Sequence, residues 1–426
     1  MNSNGFTYID TNKDRFIEEL KEFLRFPSVS KHSHRKKETL QCAEWLKNHL
    51  EKIGLDSELI PTGGHPIVRA QRKGKSSRRL CLYGHYDVQP EDPLDLWNSS
   101  PFEPVIQDGY IYGRGTTDDK GQLFAHIKSV ESLIKTQNSL PCEILFLIEG
   151  EEESNGNGLE SFVKKEKAVL SSYEAIVLSD TGIYNETTPA LTYGLRGIVS
   201  MELIIKGPNR DLYSGNFGGA VPNPIMVLTR VLSQCASLEG IVQIPGFYED
   251  VRPLEKWEMD NIEKLNFDDQ AFAKELGIKR TFGERGYSTL ERIWARPTFE
   301  INGIYGGYSG EGGKTIIPSY AGTKITMRLV PDQDAQKISR LVKDYIQSII
   351  PNYIEYQMTG PSGSNAVLFD VHHPIMQAGK EALKQGFGHD PVYIREGGSI
   401  PVVKTFWEEL KIPVVMLGFG WSAFPQ

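Results

Sequence analysis

The chain has 426 residues, 39% hydrophobic and 24% charged, which exceeds what one hydrophobic core holds and predicts two domains. Its 47 Lys and Arg against 55 Asp and Glu leave a formal net charge of −8 with no long basic stripe, which argues against a nucleic-acid partner. No run approaches the roughly 18 apolar residues of a membrane helix, and the opening MNSNGFTYIDTNKDRF lacks an apolar signal core, so a soluble cytoplasmic protein is expected.

Apolar residues recur at spacings of three and four over residues 14–24 and 38–53, with Leu46, Leu50 and Ile53 on one stripe, predicting two surface helices. Between them SKHSHRKK holds His32 and His34 among basic residues and reads as a solvated loop without function. Short apolar runs follow, each ending in Gly, an acid or an imidazole: 80–83 before Gly84, His85, Tyr86 and Asp87; 144–148 before Glu149; 175–178 before Asp180. Such runs fit strands buried on both faces, and they alternate with helical patterns such as 122–134, where Leu123, Ile127, Val130 and Ile134 align. The expected fold is α/β, a mixed and largely parallel sheet flanked by helices, with ligands gathering beyond the carboxyl ends of its strands.

From residue 192 the pattern changes. Ile198, Ser200, Glu202, Ile204 and Lys206 alternate with their neighbours, a helix is predicted over 224–238, and Lys324, Thr326 and Arg328 alternate with Ile325, Met327 and Leu329. An α+β sandwich with one exposed sheet face follows. After Gly360-Pro361-Ser362-Gly363-Ser364 the first pattern returns, with helices at 376–384 and 404–410 and an apolar run at 412–417. One domain should therefore comprise residues 1–190 and 366–426, interrupted by a second at 191–365. Cys42, Cys81, Cys142 and Cys235 lie far apart and read as reduced packing residues.

Three clusters carry chemistry. His85 and Asp87 stand one residue apart at a strand end, so the two-residue period puts them on the same side and lets Asp87 hold the ring of a metal-binding imidazole. A strand-end His is as often a packing residue. The turn GRGTTDDKG aims Asp118 and Asp119 at the same edge, although an acid there can also cap the next helix. Glu149-Gly150-Glu151-Glu152-Glu153 directly follows a buried run, and Asp180 ends another, so like charges converge unless a cation offsets them. One imidazole with several carboxylates suits Zn²⁺, Mn²⁺ or Co²⁺, and a carboxylate to spare can act as general base in amide or ester hydrolysis.

In this order LYGHYDVQP, YGRGTTDDKG, EGEEES, SDTG, GEGGKTIIPS, RLVPDQ and REGGSIPV resemble the dinuclear zinc metallopeptidases that include carnosinase and cytosolic non-specific dipeptidase, over essentially the whole chain. The resemblance implies an exopeptidase for dipeptides or short peptides with a free carboxylate. It implies two divalent ions (Zn, or Mn or Co), a catalytic domain, and an inserted lid that forms a homodimer. His85 resembles a ligand of one ion with Asp87 orienting it, Asp118 the bridging carboxylate, Asp180 the remaining ligand of the first ion and Glu153 a ligand of the second. Glu152 resembles the general base acting on a metal-bridging water. In the inserted domain Thr315 and Arg328 resemble the residues that hold the substrate carboxylate, work that suits a planar guanidinium, while Gly398 and Ser399, back on the catalytic domain, resemble a substrate-contacting turn.

Two departures stand out. Where the family has DLHSG this chain reads Asp211-Leu212-Tyr213-Ser214-Gly215; Tyr213 keeps an O–H donor but loses imidazole's cationic form. Loss of one oxyanion donor can cost on the order of 10²–10³ in turnover. The family's last metal-binding His has no counterpart in GFGWSAFPQ at 418–426, and His126, His372, His373 and His389 read as structural. The expectation is a second ion left with Asp118 and Glu153 and weakly held, with Phe419, Trp421 and Phe424 uncovered. A catalytically weak homologue that binds metal or a carboxylate ligand, and an N-acyl amino acid deacylase, remain open beside the dipeptidase.

Overall fold

The computed structural model describes residues 3–154, 156–360 and 362–420. These form two compact units, one comprising the described residues up to 193 with 369–394 and 405 onward, the other 194–368 with 395–404.

In the first unit the strand order is Asp56–Ile60, Ile67–Arg72, Glu143–Glu149, Arg79–His85, Ala175–Leu178, Val414–Leu417, Ala190–Leu195. The central four strands are parallel, with His85 opposite Glu149 and Tyr83 opposite Leu178, so their carboxyl ends share one edge. An antiparallel hairpin covers one flank and Ala190–Leu195 the other, which makes the sheet mixed around a parallel centre. The apolar runs have no alternation because both faces are covered. Leu82, Phe146 and Ile148 meet Phe23, Leu46, Leu50, Leu123 and Ile127 from three helices, Lys13–Leu24, Lys36–Ile53 and Lys120–Gln137. On the same strand Tyr83 meets Phe406 edge to face. Each such buried side chain contributes about 1.5–3 kcal/mol.

The loop expected over SKHSHRKK is partly helical: Ser33–Arg35 is a 3-10 turn and the next helix starts at Lys36. That helix ends where Gly54 adopts φ 106°, a left-handed conformation that glycine takes without strain. The four cysteines are free, with Cys42, Cys81 and Cys235 buried.

The second unit carries an antiparallel sheet in the order Thr298–Gly306, Tyr320–Leu329, Gly197–Lys206, Tyr356–Met358, with Ser362–Ser364 also paired to Gly197–Lys206. Val199, Met201, Leu203 and Ile205, with Ile325, Met327 and Leu329, face a core closed by the helices Pro224–Cys235 and Ala335–Ile349. The first of these stops short of residue 238 because Ala236 is extended; Asn223 caps its start by accepting from the Ile225 N–H at 2.9 Å, with Pro224 in the first turn. Arg395 and Glu258 form a buried ion pair that anchors the segment leading to Gly398 and Ser399. Among the described residues no helix is long and apolar enough to cross a membrane.

Candidate metal centre

His85 ends its strand fully buried. Its Nδ1 donates to the Asp87 carbonyl at 3.0 Å and lies 3.4 Å from Asp87 Oδ1, so main chain and carboxylate together orient the ring. Nε2 is buried without a hydrogen-bond partner among the described residues, 3.1 Å from Asp118 Oδ1 and 3.8 Å from Asp180 Oδ2. A buried polar nitrogen left so costs about 1–3 kcal/mol. One ligand atom from each of His85, Asp118 and Asp180 lies within 4.8 Å of the others, and a divalent cation among them satisfies all three.

Asp119 stands at the start of the Lys120–Gln137 helix, yet its side chain makes no cap. Its Oδ2 accepts the His85 N–H at 3.1 Å, and its Oδ1 is buried without a partner. The capping alternative for this pair of acids is therefore set aside; the peptide between Asp118 and Asp119 is cis. Glu152 and Glu153 occupy the 3-10 turn Glu152–Ser154, just beyond the Glu143–Glu149 strand. The Glu153 N–H donates to Asp87 Oδ2 at 3.1 Å, and Ser30 Oγ donates to the same oxygen at 2.6 Å. Gln89 Nε2 donates to Glu153 Oε2. The charges acting on Glu152 are those of His85, Asp87, Asp118 and Lys31.

Burial dominates the electrostatics. It drives Asp180 well up, Glu149 to about 8 and Asp119 and Glu153 to about 7, and it raises Glu152. Burial opposes a charged His85, but the nearby Asp118, Asp87 and Asp180 carboxylates outweigh it and hold the imidazole well above its ordinary value. Burial likewise pushes Asp118 up, and His85 overrides it so that Asp118 stays low. Without metal the cluster thus retains protons that the unfolded chain has lost. Groups whose folded pKa is raised add stability at low pH and lose it as pH climbs from about 4.5 to about 8. Metal binding displaces those same protons, so the thermal stabilisation gained on adding Zn²⁺ should grow between about pH 5.5 and about pH 8, each tenfold gain in affinity adding about 1.4 kcal/mol. A gain that is flat or falling with pH, read by differential scanning calorimetry, would contradict this.

The first unit thus brings His85, Asp87, Asp118, Glu152, Glu153 and Asp180 to one sheet edge. In the second unit, Leu212–Tyr213 pairs with Ile316–Ile317, and the Ser214 N–H donates to the Thr315 carbonyl at 3.0 Å, which sets the 56% exposed Tyr213 beside Thr315. Arg328 Nη1 donates to Ser399 Oγ at 3.1 Å, and the space beside Gly398 is open. Sequence reasoning missed Arg196, next to Arg328: burial and then the Arg328 charge push it down to about 10. Neither arginine has a carboxylate within ion-pair distance among the described residues. The signal was available as the arginine in YGLRG.

His126 Nε2 pairs with Ser179 Oγ at 2.5 Å, and His373 Nδ1 accepts from the Ile375 N–H, which are structural roles. Gln122 Oε1 takes the N–H groups of Phe419 and Gly420 at 2.7 and 2.9 Å; Trp421 and Phe424 lie outside the described residues. A second group with ligand-like spacing, Glu19, His49 and Glu131, was not anticipated. Its centre is taken by Lys128, whose Nζ lies 2.8 Å from His49 Nε2 and 2.7 Å from Glu131 Oε2, so this group is an internal ion network.

The comparisons decide the family. Peptidase family M20/M25/M40 matches residues 81–424. The chain belongs to the M20 peptidases. This M20 chain is 30% identical to the Cys-Gly metallodipeptidase dug1 of Schizosaccharomyces pombe, over 97% of this chain and 90% of that protein. The crystal structure of human carnosine dipeptidase 1 is similar at 28% identity and a TM-score of 0.84, covering 98% of this chain and 91% of the other. The M20 metallo-carboxypeptidase Sso-CP2 of Sulfolobus solfataricus matches at 32% identity and a TM-score of 0.83, over 94% and 90% of the two chains.

Proposed function

We propose that this M20 chain hydrolyses dipeptides with a free carboxylate in a metal-dependent reaction, its first unit catalytic and its second a lid. The observation that carries the proposal is the buried, unpartnered Nε2 of His85 facing Asp118 and Asp180, with Glu152 in the adjoining turn. His85, Asp118, Asp180 and Glu153 would hold two divalent ions, of which Zn²⁺ suits the nitrogen-and-carboxylate set, with Mn²⁺ or Co²⁺ as alternatives. When bound, such ions polarise the peptide carbonyl and make water acidic near neutral pH.

Glu152 takes the proton of the attacking water and passes it to the leaving amine as the C–N bond breaks. Asp87 keeps the His85 ring in place. Tyr213 offers an O–H to the carbonyl oxygen where the family has imidazole. Arg328, with Thr315, Gly398 and Ser399, takes the substrate carboxylate, a role supported by an arginine pair with no carboxylate within ion-pair distance among the described residues. Free cysteines support a reducing, cytoplasmic setting. The edge strand Thr298–Gly306, with Ile301 and Ile304 exposed, supports a homodimer through the second unit.

A panel of dipeptides and N-acyl amino acids, assayed before and after chelation and with Zn²⁺ or Mn²⁺ restored, tests the proposal. Metal-dependent cleavage of dipeptides is expected; cleavage confined to acyl amino acids, or unaffected by chelation, would overturn it. Arg328→Ala should raise KM for free dipeptides by about 30- to 100-fold, the worth of a charge-assisted pair, and spare C-terminally amidated ones. Equal loss on both substrates would remove Arg328 from carboxylate binding.

A further inference from the structure

Asp87, Asp119 and Glu153, close to His85, share a pattern: one carboxylate oxygen is tied and the other is left bare. Asp87 Oδ2 accepts from Ser30 and from the Glu153 N–H while its Oδ1 has no hydrogen-bond partner among the described residues. Glu153 Oε2 accepts from Gln89 while its Oε1, buried, likewise has none. The donor on Glu153 is a neutral amide, which presents either its N–H or its oxygen depending on how the group is turned. Lys31 Nζ donates to Gln89 Oε1 at 2.8 Å, and this fixes the turn that gives Glu153 a donor. The reversed amide would set an oxygen against the carboxylate and an N–H against an ammonium. Lys31 belongs to the segment after the Lys13–Leu24 helix, whose neighbour Ser30 holds Asp87.

We propose that Lys31 and Gln89 form a positioning relay that aims Glu153 Oε1 at a divalent ion and thereby sets how tightly that ion is held. The inference rests on reading Glu153 as a metal ligand. Neither relay residue touches the reacting atoms; both reach the ion through Glu153. Outer partners of ligating carboxylates typically govern affinity by about 10- to 100-fold.

The test is Co²⁺ titration of chelated, redialysed protein, followed by its visible absorption and independent of turnover. Gln89→Met should weaken the Glu153-dependent binding step by about tenfold, and near-isosteric Gln89→Glu at least as much, since it sets a second carboxylate against Glu153. Exposed Lys31 can be replaced without threatening the fold: Lys31→Met should weaken the same step by about threefold, and Lys31→Arg should restore it. In a Glu153→Gln background the Gln89→Met effect should vanish, which a merely structural bond would not produce. Weak binding in Glu153→Gln with unchanged binding in both Gln89→Met and Lys31→Met would overturn the relay alone. Unchanged binding in Glu153→Gln would overturn the ligand reading beneath it.

Discussion

Glu152→Gln is expected to lower dipeptide turnover by about 10³–10⁴ while metal content stays at the wild-type level. The Glu152 carboxylate makes no hydrogen bond among the described residues, unlike Glu153 and Asp87, whose second oxygens are anchored. Burial raises its pKa, with the Asp87 and Asp118 charges adding to the effect and His85 opposing it. A carboxylate left untied in this way can accept a proton from water and return it to the amine. Glutamine keeps the shape and loses the basicity. Elemental analysis beside steady-state kinetics checks the division of roles; metal loss equal to that of Glu153→Gln would make Glu152 a ligand instead.

Asp118→Asn should abolish activity by the opposite route, lowering metal affinity by more than about 100-fold, beyond the usual cost of losing an outer partner. Asp118 is the carboxylate nearest His85 Nε2 among the described residues, at 3.1 Å, and the near-isosteric amide leaves the fold intact. What it removes is the negative charge that His85 keeps ionised. Isothermal titration with Zn²⁺ reads the effect directly. Wild-type affinity in Asp118→Asn would show that Asp118 does not ligate.

The gathering of side chains at the sheet edge was legible because His85, Glu149 and Asp180 each follow an apolar run, and parallel central strands bring such terminations together. The alternation around Ile325 and Met327 likewise foretold a half-buried strand. Other features depend on side-chain direction, which local patterns do not encode. Asp119 occupies a capping position but turns toward the His85 N–H, a partner 34 residues away in the chain. The bond from Gln89 to Glu153 spans 64 residues, and Lys31 sits in a stretch whose charges look only solvated. Glu19, His49, Lys128 and Glu131 read as separate helix-face charges until three helices pack together and bury their network. The flanking hairpin of Asp56–Ile60 with Ile67–Arg72 escaped because neither strand ends in chemically distinctive residues.

The central claim is that His85, Asp118 and Asp180 converge on a metal ion, and anomalous diffraction at the zinc edge from crystals grown with Zn²⁺ tests it most directly. The account predicts a peak within ligand distance of His85 Nε2 and of both carboxylates, with a second beside Glu153. Zinc absent from His85 in fully loaded crystals, or bound instead among Glu19, His49 and Glu131 after displacing Lys128, would contradict it.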